Sequence, residues 1–130
     1  MSQALASILW CLTLFQVKHF VCDFILQSRY QYMNKGKYGH PGGLLHASIH
    51  AAGSAGPVLL LTDDWELAAY LIAGEWMVHY HVDWLKEQIV KRRGLSFDGA
   101  LFWAVFGTDQ LLHQMTYVVM IAVLVRMAGL

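Results

Sequence analysis

Four long apolar runs take up most of this 130-residue chain, and the last contains a stretch with no polar face: Tyr117 to Val125 reads Tyr-Val-Val-Met-Ile-Ala-Val-Leu-Val. A helix that is apolar all round belongs in the core of a large protein or in a bilayer. A chain this short has no large core to offer. Composition agrees, with 57% hydrophobic and 14% charged residues, against roughly 25% charge in a soluble domain. Disordered, collagen-like and disulfide-scaffold classes are excluded on the same grounds. The runs cover about 4–27, 44–61, 65–89 and 97–127, near the ~20 residues that cross a bilayer. The expectation is an all-α, polytopic membrane protein, a single domain over 1–130 with four transmembrane helices in a bundle. A soluble four-helix bundle with very apolar faces is the alternative.

The punctuation between runs fits this division. Residues 28–43 are polar, basic and glycine-rich, contain Pro41 and read as a loop. The second run is interrupted by Gly53, Ser54, Gly56 and Pro57, small residues that permit close helix packing. In the acidic turn Thr62-Asp63-Asp64, Thr62 or Asp63 is placed to cap the third helix. Gly94 is placed as a C-terminal stop, and Ser96 as the N-cap of the fourth helix. Cys11 and Cys22 lie about three turns apart on one helix, too far for a disulfide. No charged leader or small-residue cleavage site marks a signal peptide.

Topology follows from charge. Arg29, Lys35 and Lys37 occupy one loop, and Lys91, Arg92 and Arg93 another, both on the same side of the bundle. The positive-inside rule places these loops in the cytoplasm and both termini in the periplasm. Lys18 and Arg126 do not fit this rule cleanly. Trp10, Trp65 and Trp84 fall near helix ends, where indoles sit at the interface. Net charge is zero, so no bulk field favours nucleic acid.

The runs also carry residues that a bilayer disfavours. Helix one holds His19 and Asp23, helix two His46 and His50, helix three Glu75, His79 and Asp83, and helix four Asp109 and His113. Each step is four residues, about one turn along one face. Among sixteen Asp, Glu and His, six pairs fall at this spacing, counting Asp83 with Glu87, where random placement gives roughly two. Most lie toward the predicted cytoplasmic ends, so one cluster can form there.

A carboxylate at a helix centre costs about 2.5–3.5 kcal/mol on insertion scales. It must be protonated or neutralised by a cation. Histidine and carboxylate pairs are first-row metal ligands, and helix bundles build metal sites from inward-facing ligands. The expected cofactor is a divalent metal, zinc first, with iron or manganese as alternatives, as one or two ions. The candidate ligands are His19, Asp23, His46, His50, His79, Asp83, Asp109 and His113, with Glu75 or Asp23 as general base. For a single ion, His46, His50, Asp109 and His113 are the favoured ligands. Gln27 and Gln110 flank the set. His81 faces elsewhere, His40 sits in solvent, Lys86 snorkels or pairs with Asp83, and Cys22 points about 100° away from Asp23.

The motifs His19-x-x-x-Asp23-Phe24-x-Leu26-Gln27, Asn34-Lys35, His46-x-x-x-His50, His79-x-x-x-Asp83-x-x-Lys86 and Asp109-Gln110-x-x-His113 run over most of the chain. In this order they resemble the uncharacterised bacterial and phage family called domain of unknown function 3307. The resemblance implies a small polytopic membrane protein, and the expected location is a bacterial inner membrane. The motif style is also similar to membrane-bound metal-dependent hydrolases, by analogy alone. His-Glu-x-x-His, the desaturase histidine boxes and a glycine-rich phosphate loop are absent from the sequence. The functional expectation is a membrane-embedded metal-dependent hydrolase acting on a lipid or lipid-linked substrate at the cytoplasmic interface. Arg29, Lys35 and Lys37 could hold an anionic headgroup there, or simply set topology. The alternatives are a metal or proton transport element, dimeric to widen its path, and an accessory protein whose polar cluster locks the bundle.

Overall fold

The computed structural model describes residues 2–128. The described elements are α1 (Gln3–Phe20), a five-residue π turn (Val21–Ile25), α2 (Arg29–Asn34), α3 (Pro41–Leu59), α4 (Trp65–Arg92) and α5 (Ala100–Ala128), with no strand among them. The all-α expectation holds.

Local chemistry sets the ends. Ser2 caps α1 by accepting the Leu5 N–H at 3.2 Å. Segment 28–43, read as loop, contains a helix because Ser28 and Gln31 form a reciprocal capping box. Pro41 opens α3 at its first turn, and the His40 ring accepts the Gly42 N–H at 3.0 Å, so His40 is a half-buried cap rather than a solvated side chain. Asp64, one residue beyond the expected caps, accepts the N–H groups of Glu66 and Leu67, both at 3.0 Å. Gly94 ends α4 as expected. At φ 57° it lets Leu95 N–H reach Val90 C=O at 2.9 Å, closing the last turn. Ser96 does not cap α5: its carbonyl accepts the Gly99 N–H in a separate turn, and the helix starts at Ala100.

The helices close a ring: α3 packs on α1 and α4, α5 on α4 and α1, and α2 lies against α3. Its core has two different ends. Cys11, Phe15, Val58, Leu61, Ala68, Tyr117, Met120, Ile121 and Leu124 form an apolar cluster. Along α1 and α4 these positions precede the polar residues, and along α3 and α5 they follow them, so the helices alternate in direction. The opposite half of the interior is polar, with His19, His46, His50, His79, Asp83, Asp109 and His113 all buried. Tyr117 marks the boundary. Its ring stacks on Phe15 with centroids 4.8 Å apart, while its hydroxyl reaches the polar half.

Among the described residues there are four long helices, but two are long and apolar enough to cross a membrane by length and composition: Gln3–Ile25 and Ala100–Met127. The other two runs fall short for a physical reason. α3 is diluted by two histidines, two serines and its glycines, and α4 carries Glu75, Asp83, Lys86 and Glu87. The outer surface is nonetheless rich in exposed apolar side chains, among them Trp10, Phe20, Phe24, Leu101 and Val119.

Candidate metal centre

α1, α3, α4 and α5 each deliver inward side chains to one cluster. Asp23 is its hub. The π turn that carries it is sealed by Leu26 N–H to Val21 C=O at 2.9 Å, an i to i−5 bond. Such turns recur at functional sites. Asp23 Oδ1 lies 3.1 Å from His50 Nε2 and 3.2 Å from His46 Nε2, and Oδ2 lies 3.2 Å from His19 Nε2. Asp83 Oδ2 lies 3.2 Å from His46 Nε2 and 3.5 Å from His79 Nε2. The imidazoles are nearly in contact, with ring centroids 3.9 Å apart for His50 and His79 and 4.1 Å for His79 and His113.

Among the described residues, two groups of side chains bring ligand atoms within 4.8 Å of one another: Asp23, His46, His50 and His79, and then His79, Asp83 and His113. His19, Asp109 and Glu75 belong to neither. The combination His46, His50, Asp109 and His113, favoured from sequence for a single ion, is not one of these groups; its members are divided between them or, for Asp109, left outside. Several buried donor atoms have no hydrogen-bond partner: His50 Nδ1, both nitrogens of His79, Asp83 Oδ2, Asp109 Oδ1 and His113 Nε2. Buried polar atoms are normally satisfied. Here Asp83 Oδ2 stands close to imidazole nitrogens without hydrogen-bond geometry. Ligands directed at a common point produce this pattern, so the donor set suits a divalent cation.

Surrounding residues hold the donors in place. His113 is oriented by its Nδ1, which donates to Asp109 C=O at 2.8 Å. Gln110 contacts His19 Nε2 at 3.0 Å and donates to Asp23 Oδ2 and Asp109 Oδ2, both at 3.2 Å. Gln27 sits 3.1 Å from His46 Nε2. Both glutamines therefore flank the set as expected.

Sequence reasoning missed two lysines and a tyrosine. Lys35, assigned to the basic loop, is buried and donates to Asp83 Oδ1 at 3.2 Å. Gly43 permits this approach, since a Cβ there would meet Lys35 Cα at 3.2 Å. Burial pulls the Lys35 pKa down, but the carboxylates of Asp83, Asp23 and Asp109 outweigh it and hold it above the ordinary lysine value. Lys86 bonds Glu87 at 2.6 Å instead of Asp83. Lys18 ends at Glu75 Oε1, 2.6 Å away, and at Tyr117 Oη, 3.0 Å away. Glu75 is thus the counter-ion of Lys18. Tyr117 Oη also touches His19 Nδ1 at 2.9 Å. Tyr117 was legible, because it continues the Asp109–His113 stripe by four residues. Lys35 follows no helical period and left no such signal. His81 faces away, on Tyr38 and Met77 C=O, and the Cys22 thiol contacts Ile49 C=O.

A cavity of about 290 Å³ opens beside the cluster, lined by Asp23, Lys35, Asp109 and Gln110 with Phe24 and Phe106. An apolar groove next to it shares Lys86 and Asp109 and is otherwise walled by residues such as Leu85, Ile89 and Leu101. No curated protein and no solved structure matches this chain. A family model does, over residues 11–129, a span that takes in every residue of both donor groups. The chain belongs to the family described as protein of unknown function (DUF3307).

Proposed function

We propose that this protein is a membrane-embedded metal-dependent hydrolase of a bacterial inner membrane. It spans the bilayer four times, with both termini in the periplasm and the polar half of the bundle toward the cytoplasm. The observation that carries the reading is the set of buried, converging histidine and carboxylate atoms without hydrogen-bond partners. The distribution of polarity supports a bilayer: the interior holds the histidines and carboxylates while the outside is studded with Trp, Phe, Leu and Val. This reverses the usual order in soluble proteins.

A divalent ion held by these residues would lower the pKa of its bound water to about 7 and polarise the scissile group. The chain does the rest. Asp109, with Oδ1 unpartnered and its side chain lining the cavity, is placed to accept a proton. Asp23 also reaches the cavity but is engaged by three histidines, and Glu75 is held by Lys18. The polar cavity and the apolar groove share Asp109 and Lys86 as lining residues, an arrangement that suits an amphiphile, a lipid or lipid-linked substrate.

The test is elemental analysis of the detergent-purified protein beside His50→Ala and Asp23→Ala. About one or two zinc, iron or manganese ions per chain, lost from variants that remain folded, is the expected result. No metal in the wild type after reconstitution would overturn the reading. Topology is tested separately. Alkaline phosphatase fused at either terminus is expected to be active; an inactive fusion at both would invert the orientation.

One observation favours a second reading, a proton or metal transport element. Glu75, Lys18, Tyr117, His19 and the half-buried Asp23 form an unbroken chain of contacts, each 3.2 Å or shorter, and such chains mark proton relays. Proton or metal flux into vesicles without turnover of any lipid would select it.

A further inference from the structure

The two donor groups have one residue in common, His79. It sits between His50 on one side and His113 on the other, with ring centroids 3.9 and 4.1 Å away. Among the core histidines it alone leaves both ring nitrogens without a hydrogen-bond partner. The contrast with two other helical histidines is informative. His81 and His113 each spend Nδ1 on the carbonyl four residues back, at 2.7 and 2.8 Å. That bond fixes one tautomer and leaves a single nitrogen for a ligand. His79 makes no such bond, although it also sits inside a helix. An imidazole buried with two free nitrogens is costly unless both are used.

We infer that the polar core is a two-ion centre in which His79 gives one ring nitrogen to each ion. Asp23, His46 and His50 complete one set, and Asp83 and His113 complete the other. The nitrogen and oxygen donors suit first-row divalent cations. Proton balance is simple: the ion that takes the second nitrogen of His79 displaces its N–H proton, which leaves as a solvent proton through the cavity beside Asp23 and Asp109. Each set contains at least one carboxylate to offset the charge of its ion. The first set has more donors and fills first.

The inference rests on the metal reading above and fails separately from it. The experiment is titration of the metal-free, detergent-purified wild type with Mn2+, followed by EPR and by elemental analysis after desalting. Two ions per chain are expected, and the spectrum of isolated Mn2+ seen at one equivalent should broaden as the second binds beside it. His46→Ala and His113→Ala are each expected to retain one ion, and His79→Ala fewer than either. Circular dichroism checks that the variants are folded, and the wild-type titration stands if they are not. One ion in the wild type, with no spectral change on further addition, overturns the two-ion centre and leaves the metal site intact. No bound ion overturns both.

Discussion

Lys18→Met is expected to destabilise the protein by about 3–5 kcal/mol, the usual cost of removing one partner from a buried ion pair. Lys18 and Glu75 are 8% and 2% exposed and meet at 2.6 Å. Glu75 Oε2 has no hydrogen-bond partner, so loss of the ammonium at Oε1 leaves a buried carboxylate that must stay unpaired or take up a proton. Tyr117 loses a hydrogen-bond partner in the same step. The site is also tightly fitted, since a Cβ at Gly53 would come within 2.8 Å of Lys18 Cγ. The double variant Lys18→Met/Glu75→Leu replaces the pair by apolar groups and is expected to recover most of the loss, as such replacements often are neutral or stabilising. Denaturant unfolding in detergent reads both. A double variant no more stable than the single one would show that packing around Lys18, and not charge, carries the energy.

That pair also shows how far the sequence reaches. The apolar runs and the four-residue stripes of His, Asp and Glu are periodic signals, and periodicity is what a single sequence displays best. They led to the four long helices and to a common cluster containing His46, His50, His79 and Asp83. Pairings across the bundle depend on helix rotation and register, which no local pattern records. Lys18 was visible as an anomaly inside an apolar run, yet its partner lies 57 positions away. The favoured four-ligand set is split for the same reason: Asp109 is in register with His113 on α5, but its carboxylate falls outside both donor groups. Gly53 was rightly read as a close-packing residue, whereas Gly56 faces open space. Both follow from which side of α3 meets α1. The Ser28-x-x-Gln31 capping box was legible and would have turned part of a supposed loop into α2. Without α2, Lys35 remained a surface charge that set topology, when it is buried against Asp83.

Lys35→Met is expected to weaken metal binding by about 10–100-fold, the range for losing a residue that orients a ligand. Lys35 engages Asp83 through Oδ1 alone and leaves Oδ2 toward His46 and His79. The ammonium therefore decides which carboxylate oxygen faces the donor set. It also offsets part of the charge that Asp23, Asp83 and Asp109 place in the same half of the bundle. Methionine keeps the length of the stem but frees Asp83 to rotate, so donor geometry degrades while the helices stay packed. Arginine is not an equivalent replacement, because Gly43 packs closely on the backbone that carries this side chain and a planar guanidinium needs more room. Competition with a chelator of known affinity measures the change, which at tenfold per ~1.4 kcal/mol amounts to about 1.4–2.8 kcal/mol. Lys37→Met serves as the control: Lys37 is exposed, its ammonium bonds Asn34 Oδ1, and it lies two residues away. Equal loss in both variants would mean that the basic segment acts through its overall charge; loss confined to Lys35→Met ties the effect to the buried contact with Asp83.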